Sequence, residues 1–428
     1  MQPSPYRLRA FIGRTVHLLA VTAPSLGGRG GQFLALVALA AFVAPAEYGR
    51  FVVLQSLLVG IASVLASTAA VAVNGATARI PAARTLPVRA LYAAMLRGRR
   101  GAFLTGALAS SALTPVGYAL LTGTSIAPQD AAALAAVGLL SGAIPFGDTL
   151  VAVVSGSGRY TVGSCIDAGR AVVGAGAALT GAITMGPFGG ALGLVVADVL
   201  ILAFVLVASV VRPTAPLTVD ITVPAREGMA AGIIANVTGQ ATQWILLFGI
   251  QLVGGPTALG VYGAANRFAS IVTLAPVYFG KTIIGQLADD SAVERSWTPR
   301  SFTAMLGAVS VLAGAVAFGV MTVGFPTLAE TYEGLVPVTL LLLVGTVLRS
   351  LLIGFGYVCI ARRRWTTWVV ADLASFVATI VGTAMVWACG GDLLAMTAVF
   401  AVGNLAGLAV RVFGGRRRSS DAIAPRAA

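Results

Sequence analysis

Charged side chains set inside long apolar runs are the residues of this 428-residue chain whose types and positions could do chemistry. Arg29, Arg170, Arg267 and Arg349 fall deep in such runs, and Arg50, Lys281 and Arg411 fall near their ends. Four carboxylates, Asp148, Asp167, Asp198 and Asp372, lie within them too. A charge at the centre of a bilayer costs at least about 2.5–3.5 kcal/mol, so it has to face a polar cavity or a partner. A deep guanidinium that faces a cavity is a handle for an anion. A deep carboxylate can hold Na⁺ or exchange a proton.

Context sorts these groups. Arg29 sits in Pro24-Ser-Leu-Gly27-Gly28-Arg29-Gly30-Gly31-Gln32, where a proline and four glycines weaken a helix. Irregular backbone at membrane depth is tolerated where it is buried or lines a cavity, so Arg29 reads as an anion-contacting group on a flexible first helix. Arg170 follows Asp167 by three residues on one helical face, and the two are expected to neutralise each other. Arg50, Lys281 and Arg411 are expected to snorkel to the headgroups. Asp148 is near a span end, where solvation suffices. Asp198 is mid-span without a charged neighbour in sequence, so it is either paired across the bundle or an ion-coupling group. Asp372, with Asn236 and Asn404, could supply oxygen ligands to a cation; a set of interhelical hydrogen bonds is the alternative.

Composition narrows the rest. Hydrophobic residues make up 57% of the chain and charged residues 10%, with mean hydropathy +0.92; a soluble domain carries about 25% charged residues. His17 is the single histidine, and Cys165, Cys359 and Cys389 are far apart, so no metal site and no catalytic triad is expected. Gly280-Lys281-Thr282 lacks the glycine a phosphate loop needs at position 275, which is Ala. No catalytic residues, no enzyme activity and no cofactor are expected, with Na⁺ or H⁺ left as coupling ions. The net charge of +13 would suit nucleic acid, but an apolar chain has another source of basic excess in its cytoplasmic loops. A nucleic-acid partner is therefore not expected.

The elements that must hold these charges are membrane spans of about 20 apolar residues. Twelve runs qualify: 18–43, 51–73, 102–122, 131–154, 163–185, 188–211, 229–252, 261–284, 302–324, 335–357, 366–388 and 392–413. With the N-terminus inside, 21 of the 28 basic residues fall on inner segments, while Glu47, Asp130, Glu330, Glu333 and Asp392 fall on outer loops. This one-sidedness predicts both termini in the cytoplasm. Pro45-Ala-Glu-Tyr-Gly49-Arg-Phe51 recurs as Pro256-Thr-Ala-Leu-Gly260-Val-Tyr262, 211 residues later, and the same offset carries Gln32 onto Gln243 and Arg29 onto Gln240. The halves therefore form a parallel repeat. The expected fold is an all-α polytopic membrane protein of about 12 transmembrane helices in two pseudo-symmetric six-helix lobes. The lobes are residues 1–211 and 229–413, with a cytoplasmic linker at 212–228 and a cytoplasmic tail at 414–428.

The stretch Ala44–Gly49 resembles the Gly-Pro-Glu-Glu-Phe-Gly signature between the first two helices of polysaccharide-type flippases. Gly260-Val-Tyr-Gly-Ala-Ala-Asn-Arg267 is similar to the Gly-x-Tyr-x-x-Ala-x-Arg start of their eighth helix. That family belongs to the multidrug/oligosaccharidyl-lipid/polysaccharide exporter superfamily. Ala41 stands where the family often carries an Arg. The resemblance implies a flippase of the bacterial inner membrane. It would move a polyprenyl-diphosphate-linked oligosaccharide to the outer leaflet for polysaccharide, lipopolysaccharide or cell-wall assembly, by alternating access. Arg29, Arg267 and Arg349 would line the substrate cavity, and Asn236, Asp372, Asn404 and Asp198 would be the ion-coupling candidates. The expected partners are the lipid-linked glycan, membrane lipids, and a glycan polymerase or glycosyltransferases of the same pathway. An ion-coupled multidrug-type exporter of the same superfamily is the alternative; a membrane glycosyltransferase and a non-transporting scaffold are more distant ones.

Overall fold

The computed structural model describes residues 5–78, 85–97, 100–211, 229–288 and 298–421. These residues contain thirteen α-helices and no strand: α1 Pro5–Phe42, α2 Pro45–Ala78, α3 Val88–Arg97, α4 Arg100–Thr122, α5 Pro128–Ser141, α6 Ile144–Gly156, α7 Tyr160–Val211, α8 Met229–Ala288, α9 Pro299–Gly319, α10 Pro326–Thr331, α11 Leu335–Ala361, α12 Trp365–Ala388 and α13 Leu393–Asp421. The linker 212–228 and the chain beyond Asp421 lie outside the described residues.

Among the described residues nine stretches are long and apolar enough to cross a membrane. Two of them, of 45 and 51 residues, are hairpins, because α7 reverses at Gly186 (φ 66°) and α8 at Gly255 (φ 68°). Glycine takes that left-handed conformation without steric cost, and the prolines that follow, Pro187 and Pro256, suit the first turn of a new helix. With α2 the count is twelve crossings. One crossing is in two pieces, α5 and α6, divided at Gly142–Ala143 just before Pro145. Outward faces are apolar, as lipid demands: α4 presents Leu104, Leu108, Val116 and Leu120.

Several elements differ from the sequence reading. The first helix begins at Pro5, so Arg7, Arg9 and Arg14 lie on it and not ahead of it. It also runs unbroken through Pro24 and the glycines. Residues 88–97, read as loop, form the short α3, whose Leu91, Tyr92 and Met95 are buried with Phe103 and Val153. The helix α13 extends into the expected tail, to Asp421.

The repeated motif is where the halves meet. A Cβ on Gly49 would strike the Pro256 carbonyl and lie 2.9 Å from the Gly260 nitrogen; a Cβ on Gly260 would strike the Pro45 carbonyl. The two copies thus touch backbone to backbone, and only glycine permits it. The largest apolar cluster surrounds this point and draws on both halves, with Phe33, Tyr48 and Phe51 against Leu259, Phe268 and Tyr332. Phe33 and Phe268 meet edge to face at 5.5 Å. Tyr332, at the end of α10, donates its hydroxyl to the Ala40 carbonyl (2.8 Å) and lies 3.2 Å from that of Val43. These are orphan acceptors at the end of α1, so one half caps a helix of the other.

A paired substitution tests this. Gly49→Ala is expected to destabilise the protein by about 1–3 kcal/mol through overpacking. Gly30→Ala, at a helical position with nothing within 4 Å of the added methyl, is expected to be neutral or to stabilise by up to about 1 kcal/mol. Thermal unfolding in detergent reads both.

Candidate functional site

Polar side chains gather along the seam between the halves, on α1, α2 and the two arms of α8. Arg267 is eleven residues past Pro256, about 17 Å from the α8 turn at 1.5 Å per residue. That is deeper than the sequence reading, which began the span at residue 261. Its Nε donates to the Tyr48 hydroxyl (3.1 Å) and its Nη2 to Gln55 Oε1, both on α2. Tyr48 in turn donates to the Leu36 carbonyl of α1 at 3.2 Å. Arg267 thus links three helices from two halves, held by neutral acceptors. Trp244 donates to the Ser56 carbonyl (3.3 Å) beside it.

Arg29 occupies a second seam position, thirteen residues before the end of α1. It donates to Gln32 Oε1 (2.8 Å), to Asp167 Oδ1 on α7 (2.9 Å), and to the Tyr278 hydroxyl on the far arm of α8 (3.0 Å). Tyr278 closes the ring by donating to Asp167 Oδ2 at 2.6 Å. The glycines around Arg29 have different tasks. Gly28 lets α1 press on Ala168 of α7, and Ser25 bonds Ser164 alongside; Gly27 and Gly30 face open space.

Asp167 therefore serves Arg29, which corrects the expected Asp167–Arg170 pair. Arg170 forks instead onto Asp198 of the second α7 arm (Nε 2.8 Å, with Nη2 also in contact) and onto Asp148 of α6 (2.8 Å). The Arg170 side chain is 7% exposed, Asp198 10% and Asp148 28%, so this is an ion network inside the first lobe. Two guanidiniums face three carboxylates there, one negative charge in excess.

The second lobe reverses the balance. Asp372 of α12 faces Arg411 of α13 at 3.7 Å. Arg411 does not snorkel as expected: it is buried and donates to the Leu352 carbonyl of α11 at 2.6 Å. Arg349 of α11 is half-buried, turned toward Gly239 of α8, and forms no hydrogen bond or ion pair with a described residue. It stands in this lobe, apart from the Arg29 and Arg267 seam networks. Asn236 and Asn404 donate their amides to carbonyls of their own helices, Gly232 (3.0 Å) and Phe400 (2.8 Å). Lys281 lies in α8, and Arg50 is exposed at the start of α2.

Sequence reading missed Tyr278, Gln55 and Tyr48 as partners. One signal was present: the 211-residue offset carries Gln55 onto Asn266 and Ser56 onto Arg267, so polar residues recur at matching depth in both halves. The cross-helix choices of Arg170 and Asp167 had no such signal.

Breaking a buried network by removing one member leaves charge uncompensated. Arg170→Gln is expected to cost about 3–5 kcal/mol, and adding Asp198→Asn should restore part of it. Denaturation of the purified variants measures both.

No protein-family model matches the sequence, and no curated relative does. Solved structures do share the architecture. The lipid II flippase MurJ in an inward closed conformation matches with TM-score 0.62 at 10% identity, over 93% of this chain and 87% of that one. The MATE multidrug transporter DinF-BH, solved as a ligand complex, gives 0.65 at 15% identity, over 94% and 95%. An outward-facing multidrug resistance MATE family transporter of the MOP superfamily gives 0.59 at 14%, over 94% and 95%. Their fold is the one that the resemblance read from the motifs implies. At these identities the likeness is one of fold: the chain has the all-helical, twelve-span architecture of MurJ and the MATE transporters.

Proposed function

We propose that the protein is a transporter that flips a polyprenyl-diphosphate-linked oligosaccharide from the inner to the outer leaflet of the bacterial cytoplasmic membrane. Both termini are on the cytoplasmic side in this reading. The observation that carries it is Arg267: a deep cation on the seam between the two halves, held by Tyr48 and Gln55 with no carboxylate among its hydrogen-bond partners in the described residues. A guanidinium suits a diphosphate, because its planar N–H fork matches phosphate oxygens. Gln32, Gln243, Asn266 and Ser270 on the same helices are half-buried and offer the donors and acceptors a sugar needs. The lipid tail would stay in the bilayer, against apolar outer faces. Arg29 supplies a second cation on the seam once its ring opens: separating the halves would remove Tyr278, and protonation of Asp167 would free the guanidinium. The solved flippase MurJ, which is named for lipid II, has this fold.

For coupling we propose H⁺, through Asp198, Asp148 and Asp167, because three carboxylates share two guanidiniums. Na⁺ on Asp372 with the amide oxygens of Asn236 and Asn404, whose nitrogens donate to their own helices, is the alternative. Glycosyltransferases and a polymerase of the same pathway would be its partners.

A second reading has an observation of its own. A MATE multidrug transporter with this fold has been solved with a ligand bound, and the excess acid in the first lobe here would attract a cationic compound. Surface-glycan display and dye efflux in cells separate the two. Arg267→Ala is expected to reduce glycan display at least tenfold and leave dye accumulation unchanged; the opposite pattern selects drug export. In inverted vesicles a pH gradient, and not a Na⁺ gradient, is expected to drive transport, and Asp198→Asn is expected to abolish that dependence.

A further inference from the structure

The second lobe holds a buried positive charge that the seam does not use. Arg411 is 3% exposed in its side chain, and its Nε and Nη2 have no hydrogen-bond partner. The 3.7 Å separation from Asp372 is an ion pair but is too long for a hydrogen bond. Arg349 is three residues before Leu352 on α11, whose carbonyl Arg411 bonds, and it acts electrostatically on both Asp372 and Arg411. Two guanidiniums thus share one carboxylate, and two buried donors of Arg411 make no hydrogen bond among the described residues, Nη2 facing Asp372 only at ion-pair distance.

Gly356 on α11 packs directly against the guanidinium. A Cβ there would come to 3.5 Å from the Trp368 indole nitrogen and to 3.6 and 3.8 Å from the Arg411 Nη atoms. The turn between α11 and α12, eight residues before Asp372, exposes Arg362, Arg363 and Arg364. At 1.5 Å per residue this basic rim is about 12 Å along α12 from the buried cluster, and its field raises the local concentration of anions at that end.

We infer that α11, α12 and α13 form an anion site for a phosphate group, held by Arg349 and Arg411, with Asp372 as an internal competitor. Paired arginines fit phosphate by their N–H fork, and basic pockets between membrane helices take phospholipid headgroups. The same chemistry is offered by a headgroup or by free phosphate. The site is separate from the Arg267 seam and stands whether or not the protein flips a glycan.

The test uses the purified full-length protein and its unfolding temperature. One arm titrates inorganic phosphate in detergent. The other compares phosphatidylcholine nanodiscs with and without phosphatidylglycerol. At least one probe is expected to raise the midpoint: phosphatidylglycerol alone assigns a lipid headgroup, and phosphate assigns a free anion as competent. Arg349→Gln should weaken the apparent affinity about tenfold, and Asp372→Asn, which removes the competitor, should tighten it by a similar factor. Arg411→Gln alone would strand Asp372, so the neutral pair Arg411→Gln/Asp372→Asn is used; it should fold and lose the response. Arg267→Gln should keep it. The inference is overturned if neither probe shifts the wild type, if Asp372→Asn binds no more tightly, or if Arg267→Gln removes the response.

Discussion

The close approach of Gly49 and Gly260 is the constraint from which the rest of the molecule follows. Two helices, each entered through a proline, meet with no side chain between them. Backbone contact at this depth fixes the two halves face to face and sets the axis of the repeat. It brings α2 against α8 along their lengths, which puts Tyr48 and Gln55 beneath Arg267 and leads the lower arm of α8 past Arg29. The same contact needs an apolar collar to exclude lipid and water. Phe33, Phe51, Phe268 and Tyr332 provide it, and the Tyr332 hydroxyl satisfies carbonyls that α1 leaves open at its end.

Around that axis charge is divided unevenly. The Arg29 and Arg170 networks of the first lobe together have one carboxylate more than guanidiniums, and the Asp372 cluster of the second, with Arg349 and Arg411, has one guanidinium more than carboxylates. Between them, on the seam, Arg267 has only neutral partners by hydrogen bond. In a low-dielectric interior such surpluses are costly unless something mobile meets them. A proton in the first lobe, an anionic substrate on the seam and a phosphate in the second lobe are one consistent assignment. It gives each excess charge a ligand of opposite sign. Release of the Arg29–Asp167–Tyr278 ring would then link the proton site to the separation of the halves, since the ring includes members of both.

Much of the architecture was legible in the sequence, and the reason is the solvent. A bilayer forces continuous apolar runs, and the runs at 163–185 and 188–211 are divided at the Gly186-Pro187 pair that turns α7. The recurrence of Pro45…Gly49 at Pro256…Gly260 identified the repeat, and its physical meaning is now visible as a contact. The short α3 was missed because its ten residues cannot span, and its arginines read as loop. The site was less legible. Depth along the chain marked Arg29, Arg267 and Arg349, but which helix face each presents depends on packing. Arg170 illustrates it: the i–3 neighbour Asp167 is near in sequence, yet Asp198 and Asp148 meet the guanidinium because Gly147 leaves room for it between α6 and α7. Arg411 illustrates the reverse error. Near the end of an apolar run, it could have reached the headgroups, but the Leu352 carbonyl holds it inside.

Movement of a lipid-linked diphosphate along the seam is the central claim. Reconstitution of the purified protein into proteoliposomes carrying a fluorescent polyprenyl-diphosphate oligosaccharide tests it most directly, with an impermeant reagent reporting how much label has changed leaflet. Rapid exchange is expected with the wild-type protein, together with competition by inorganic pyrophosphate and exchange near that of empty liposomes for Arg267→Ala. Exchange at the empty-liposome rate with folded wild-type protein, or equal exchange by Arg267→Ala, would contradict it.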